Sequence, residues 1–273
     1  MSMPSSFLKY EHSDIHFLEF GKGNSIVIAL HGYGESAGSF FFLEKYITGD
    51  HHIVAIDLPF HGGTKWNEER TITSADMACI IDEILKGLGI TSTSFILIGY
   101  SMGGRLALSL TENYPEKVSR LLLFAPDGMK VNFWYWIATQ TGAGISLFRF
   151  TVKNPGWFFR LLSVANRFKL INKSIYKFVF TYVSDELVRK ELFHRWTCMR
   201  KFKPDLRKIR RIIKEKKLPV RLLYGKYDRI ILSKRARHLL DGLEEYCQLI
   251  IIEDGHQVLQ QRHAALITSL LKS

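Results

Sequence analysis

The chain has 273 residues, enough for one large α/β domain or two small ones, and its 47% apolar and 23% charged residues are ordinary for a globular protein. Its three cysteines, Cys79, Cys198 and Cys247, lie far apart, which argues against a disulfide framework or a zinc site and for a reducing compartment. The net charge of +12 is unevenly spread: residues 130–217 hold 21 Lys and Arg against 5 Asp and Glu, with 17 of the 35 aromatic side chains. That shift marks a structural unit of its own.

The first residues, "MSMPSSFLKYEHSDIHFLEF", contain no continuous apolar stretch of the kind that heads a secretory signal, and no apolar run reaches bilayer-spanning length. A cytoplasmic location is the expectation. "FLKYEHSDIHFLEFGKGNS" alternates apolar and polar residues and ends in a turn marked by Gly21 and Gly23, which predicts antiparallel edge strands. From Ser25 onward short apolar runs alternate with longer amphipathic ones. "SIVIAL" precedes "HGYGES", "HHIVAIDLP" precedes "FHGGT", "SFILIGYS" precedes "MGGRLALSLTENYP", and "VSRLLLFAP" precedes "DGM". After the basic segment come "LPVRLLYGKYD" and "CQLIIIEDGH", each followed by a helix-like run, "SKRARHLLDGLEE" and "QVLQQRHAALITSLLKS". Runs of Ile, Leu, Val and Phe without alternation suit strands buried on both faces, so the pattern predicts βαβ units and a mostly parallel sheet covered by helices on both sides.

The strand rhythm stops between Asp127 and Lys217. "GWFFRLLSVANRF" and "SDELVRKELFHRWTCMRKF" are helical patterns, and Pro155 and Pro204 divide the segment. The expected organisation is a core of residues 1–126 and 218–273, with residues 127–217 inserted after the sixth strand as a helical lid.

Ligands of an open parallel sheet bind beyond the carboxyl ends of its strands. Ser101 lies there, in Gly99-Tyr100-Ser101-Met102-Gly103, between the strand "SFILIG" and a helix. A turn this tight strains the serine backbone and needs glycine neighbours, and it exposes the hydroxyl at the positive end of a helix. A serine hydroxyl needs a base to act as a nucleophile, and the base needs an acid to fix its tautomer. His256, after the last strand, and Asp228, after the preceding one, supply these in the chain order Ser, Asp, His. Asp127, after "LLLFAP", is a further carboxylate following a strand. Asp254 more simply serves the histidine turn. An oxyanion requires two backbone N–H donors, for which Met102 and Tyr33, in "HGYGES", are the candidates. His31 and His61 are read as structural, bonded to backbone, and no spacing of Cys, His and carboxylates suggests a metal.

Together "LHGYGES", "IDLPFHGGT", "GYSMGG", "YGKYD" and "DGHQV" resemble the α/β-hydrolase fold family, in its serine-nucleophile branch, over nearly the whole chain. The resemblance implies a twisted, mostly parallel sheet, a Ser101–His256–Asp228 triad, an oxyanion hole from Tyr33 and Met102, and no cofactor. Some members of the family supply the acid from the place of Asp127, but the "GKYD" turn favours Asp228. "GYSMGGRLAL" also resembles the nucleophile turn of the pyruvate-eliminating synthase of menaquinone biosynthesis, which implies that Tyr100 and Arg105 line the site. The oxyanion loop departs from that enzyme's pattern. From the residues alone, Arg105 has two readings: an ion pair within the protein, or recognition of a substrate carboxylate.

The expected activity is hydrolysis of a carboxylic ester, with a lipophilic or anionic acyl group, through an acyl-enzyme. Two alternatives stand beside it: a lyase using the same triad, and a binding protein that retains the fold without catalysis. The basic, aromatic insertion suits a solvated face, attraction of an anionic small-molecule substrate, or peripheral contact with anionic membrane. No recognition motif accompanies the charge, so nucleic acid is not an expected partner.

Overall fold

Eight short runs rich in Ile, Leu, Val and Phe pair into one sheet in the computed structural model, which describes residues 5–47, 49–130, 133–170, 176, 180 and 184–272. The strands are β1 Ser5–Tyr10, β2 Ser13–Gly21, β3 Ser25–Leu30, β4 His51–Ile56, β5 Phe95–Tyr100, β6 Val118–Phe124, β7 Val220–Gly225 and β8 Cys247–Ile252. Their spatial order is β1-β2-β4-β3-β5-β6-β7-β8. The alternating opening segment forms the antiparallel pairs β1–β2 and β2–β4, and every later pair is parallel. This is the mostly parallel sheet expected from the non-alternating runs.

The described helices are α1 Ser74–Gly87, α2 Met102–Asn113, α3 Phe133–Gln140, α4 Gly142–Lys153, α5 Gly156–Arg167, α6 Glu186–Cys198, α7 Leu206–Lys216, α8 Arg237–Leu240 and α9 Ala264–Lys272. Successive strand residues point to opposite faces. On β5, Ile96, Ile98 and Tyr100 join a core cluster with Phe40 and Leu43 of the 3₁₀ segment Ala37–Lys45 and with Ile267 and Leu270 of α9. The alternate position Gly99 faces α2, which packs on β3, β5 and β6 and carries α1 and α7 beside it. Both faces are thereby covered, which is why every residue of β5 is buried.

Three local expectations differ. β8 is the sheet edge, with one neighbour, and Ile251 faces solvent instead of a covering layer. The run "SKRARHLLDGLEE" gives only a 3₁₀ turn and the four-residue α8, because Gly242 takes φ +77° directly after Asp241 and ends the helix. In "QVLQQRHAALITSLLKS" the α-helix starts only at Ala264; Val258 and Leu259 fill the core from the preceding loop.

The chain divides into two compact units, residues 1–130 with 201–273, and residues 131–200. The inserted unit is narrower than the expected 127–217, because α7 lies on the first unit: Asp205 caps it, accepting from Arg207 and Lys208 N–H, and its Ile209 and Ile213 are buried. In the second unit Gly144 permits a close approach of α4 to α3, since a Cβ there would stand 1.9 Å from the Ile137 carbonyl oxygen. Arg189 of α6 is buried and donates to the Val152 carbonyl at 3.2 Å and the Ser184 carbonyl at 2.8 Å. A guanidinium in that position satisfies the Val152 carbonyl that the end of α4 leaves open, and the Ser184 carbonyl just before α6. Edge-to-face ring pairs Tyr135–Trp196 and Phe148–Phe193, each at 5.2 Å, join α3 and α4 to α6. Val131, Asn132, residues 171–175, 177–179 and 181–183, and the side chain of Trp134 belong to the predicted lid but lie outside the described residues. Among the described residues no helix is long and apolar enough to cross a membrane.

Asp76 fastens β1 to α1. It completes a capping box with Thr73 and accepts from Arg70 at 2.8 Å and the Tyr10 hydroxyl at 2.8 Å. Burial pushes its carboxyl up, but the bonds from Arg70, Thr73 and Tyr10 outweigh it and hold the pKa down at about 2, against an ordinary 3.8. Burial and the neighbouring Asp76 push the Tyr10 hydroxyl up to about 12. A depressed folded-state pKa stabilises the fold above 3.8 and loses that contribution as pH falls toward about 2. Asp76→Asn should therefore be less stable than the wild type in urea at neutral pH, with the difference shrinking as pH falls through that window.

Candidate active site

The carboxyl end of β5 must reverse into α2 within one residue, and Ser101 takes the conformation φ 50°, ψ −115° to do so. Such a backbone costs a non-glycine residue about 1–3 kcal/mol and is held only where the surroundings over-determine it. Here the Ser101 N–H donates to the Phe124 carbonyl at 2.9 Å, while its own carbonyl accepts from Gly104 and Asp127 N–H, both at 2.9 Å. The glycines make room for this turn. A Cβ on Gly103 would stand 2.0 Å from the Leu30 carbonyl oxygen, and one on Gly99 would meet Gly104 Cα at 2.6 Å. Helix α2 therefore starts against the end of β3, and its first N–H groups have no intrahelical acceptor.

His256 reaches Ser101 from the loop after β8. Its Nε2 lies 3.0 Å from Ser101 Oγ and its Nδ1 2.7 Å from Asp228 Oδ2. A carboxylate can only accept, so Nδ1 carries the proton and the Nε2 lone pair faces the hydroxyl. Asp228 is buried, and Oδ1 accepts from Ile230 N–H at 2.7 Å and Ile231 N–H at 2.9 Å. Burial raises its carboxyl, but the bonds from His256 and the two backbone amides prevail and hold its pKa below the ordinary carboxylate value. The acid thus stays ionised opposite the imidazole. The expected alternative, Asp127, turns elsewhere: its Oδ2 lies 3.5 Å from Arg105 Nη1 and its Oδ1 accepts from Gly128 N–H. Asp254 holds the histidine turn, accepting from Gly255 N–H, Arg262 and His263.

The loop carrying Tyr33 passes alongside this site, since a Cβ on Gly32 would lie 3.3 Å from Ser101 Cβ and 3.0 Å from the Tyr100 ring. A second loop braces it. His31 Nδ1 donates to the Gly32 carbonyl at 2.8 Å, and its Nε2 accepts from Leu58 N–H at 3.0 Å. Buried Asp57 accepts from Ala37 N–H at 2.5 Å, Gly63 N–H at 2.7 Å and His16 Nδ1 at 2.6 Å. His61 Nδ1 bonds the Pro59 carbonyl at 2.9 Å and its ring stands edge-on to Tyr33. The backbone roles expected for His31 and His61 match these contacts. Asp57 and His16 were not singled out as site residues, although "IDLP" ends a strand at the active edge and so signalled a loop-bracing carboxylate.

Tyr100 and Arg105 both engage groups of the protein. Tyr100 is buried, its ring lies 5.7 Å from that of His256, and its hydroxyl donates to Gln257 Oε1 at 3.1 Å and to the His256 carbonyl at 3.3 Å. Burial, then the charges of Glu35 and Asp228, push that hydroxyl far up, so it remains a neutral donor that holds the histidine turn. Arg105 is 8% exposed and meets an internal carboxylate, Asp127, which is the first of its two readings. Glu35 escaped the sequence reading altogether. Burial raises its carboxyl pKa despite bonds with Ser39 and Gln257, and Oε2 is buried without a hydrogen-bond partner.

The family described as serine aminopeptidase, S33, matches the chain over residues 21–262. The chain belongs to this family of α/β-hydrolases. It is 24% identical over 287 residues to monoacylglycerol lipase abhd6-A of Xenopus laevis, an alignment covering 100% of this chain and 83% of that protein. A Bacillus subtilis (strain 168) protein named as a 2-succinyl-6-hydroxy-2,4-cyclohexadiene-1-carboxylate synthase is 39% identical over 102 residues, 36% of this chain and 35% of that one. Among solved structures, a serine hydrolase involved in carbazole degradation, the CarC enzyme, superposes with a TM-score of 0.65 at 22% identity over 99% of each chain. At that identity the likeness speaks for the fold alone.

In this hydrolase the hydroxyl, imidazole and carboxylate form one hydrogen-bonded line, capable of taking a proton from Ser101 and passing it to a leaving group. Asp228→Asn keeps an acceptor for Ile230 and Ile231 N–H but cannot enforce the Nδ1–H tautomer. It should fold normally and lower kcat by about 10⁴-fold, measured with the wild type on the same activated ester.

Proposed function

We propose that the chain hydrolyses carboxylic esters of lipophilic acyl groups through an acyl-enzyme on Ser101. The observation that carries the reading is the continuous line Ser101 Oγ–His256 Nε2 at 3.0 Å and His256 Nδ1–Asp228 Oδ2 at 2.7 Å. As Oγ attacks the ester carbonyl, His256 takes its proton and Asp228 stabilises the imidazolium. The carbonyl oxygen becomes an oxyanion and accepts from the N–H groups of Met102 and Tyr33. Collapse breaks the bond to the alcohol, which leaves with the proton from His256. Water then repeats the attack on the acyl-enzyme, releases the acid and restores the serine.

The lipophilic substrate class is favoured by relatives named as monoacylglycerol lipases, whose alignments take in 96–100% of this chain for the Xenopus laevis abhd6-A and Homo sapiens proteins. We assign residues 131–200 the role of a lid that selects the acyl group, because the insertion leaves the core just beyond β6, where Asp127 N–H is bonded to Ser101. Wild-type protein should turn over p-nitrophenyl esters and monoacylglycerol faster than aminoacyl p-nitroanilides. A fluorophosphonate probe should label Ser101 stoichiometrically, and Ser101→Ala should lose both labelling and about 10⁶-fold in kcat. Failure of the wild-type protein to label would favour a binding protein that keeps the fold.

A second reading, a lyase acting on a carboxylated substrate, is favoured by the 39% identical relative and by an arginine one turn after the nucleophile. Arg105→Ala separates the two. Under the esterase reading it lowers turnover of neutral and carboxylated esters alike, through the lost Asp127 contact. A loss confined to carboxylated substrates supports the lyase.

A further inference from the structure

Helix α5 carries two apolar faces where a helix of a globular protein carries one. Leu162 is buried and Phe159 packs on Phe180 with ring centroids 5.2 Å apart, which accounts for the inward face. On the other side Trp157, Leu161, Val164 and Phe168 are 37%, 56%, 51% and 68% exposed. Their spacing of four, three and four residues stacks them in one stripe about 60° wide at ~100° per residue. Leu170 continues the exposed apolar surface beyond the helix, and Leu147 and Phe150 of α4 are exposed as well.

The charge of the segment that carries this stripe has one sign. Residues 128–184 contain no Asp or Glu and eight Lys and Arg. Arg160 and Arg167 lie along one flank of the stripe at that same rotation per residue, and both, with Lys153 and Lys169, are exposed. Twelve residues of helix, ~18 Å long, are too short to span a bilayer, but they suit a helix lying in its surface. Trp and Phe then enter the headgroup boundary while the guanidinium groups remain among the phosphates.

We propose that α5 docks the protein onto an anionic phospholipid surface, with Trp157, Leu161, Val164 and Phe168 inserted and Arg160 and Arg167 on the lipid phosphates. Charge decides the occupant. A second copy of the chain would bring two acid-free basic faces together, whereas an anionic bilayer neutralises them and buries the stripe. The inference does not depend on the esterase reading.

The test uses Ser101→Ala protein, so that turnover plays no part, in co-sedimentation with phosphatidylcholine vesicles with and without phosphatidylglycerol. Binding should be weak on the neutral vesicles, stronger by ten-fold or more on the anionic ones, and lowered by added salt. Adding Leu161→Ser, Val164→Ser and Phe168→Ser should abolish binding. Adding Arg160→Gln or Arg167→Gln should each weaken it about fivefold on anionic vesicles only. Unchanged thermal unfolding midpoints establish that each variant is folded; should the triple variant fail to fold, the two Arg variants carry the test alone. Equal binding to both vesicle types, or stripe variants that bind like their parent, would overturn the proposal. So would a dimer in gel filtration that the stripe variants convert to monomer, since the face would then be a self-interface.

Discussion

Helix α2 begins so close to the end of β3 that position 103 has no room for a side chain, and the site depends on that approach. It forces the chain to reverse within the single residue Ser101, whose positive φ leaves the hydroxyl at the sheet edge within reach of the imidazole. The strain of about 1–3 kcal/mol at one residue is small beside what surrounds it. Ten of the twelve residues of α2 are buried, and a single buried Leu contributes ~1.5–3 kcal/mol. A locally unfavourable backbone survives because the helix attached to it is anchored throughout.

Around that turn, each carboxylate has a distinct set of donors, and this divides the work. Asp228 takes His256 and two amides, Asp57 braces the loops after β3 and β4, Asp127 meets Arg105, and Asp254 ties the histidine turn to Arg262 and His263. Tyr100 links the same histidine turn to β5, directly before the nucleophile. The base and the nucleophile are thus held to each other by a buried neutral hydroxyl as well as by their own hydrogen bond. A neutral link is suited to this place, since it adds no charge beside an imidazole that must gain and lose a proton.

The two compact units are built on different principles. The first gains its order from a sheet covered on both faces, with charges paired at loops and caps. The second relies on ring contacts and on the buried Arg189, which donates to the Val152 and Ser184 carbonyls. Lys153, Arg160, Arg167 and Lys169, in a stretch without carboxylates, are exposed there, beside apolar side chains such as Leu161 and Phe168 that are exposed as well.

The sequence by itself determined the sheet, its mostly parallel sense, the position of Ser101 on a strand-to-helix turn, and the candidates His256 and Asp228. These are legible because apolar runs, glycine spacing and chain order are local or sequential properties. Only the tertiary structure decided that Asp228 rather than Asp127 faces His256, that Arg105 meets a carboxylate of the protein, and that the Tyr100 hydroxyl serves the histidine turn. It also decided that β8 is an edge and that one apolar stripe of α5 points outward. Strand order and helix rotation set which of several chemically equivalent groups meet, and residues far apart along the chain carry no local mark of the partner they will find.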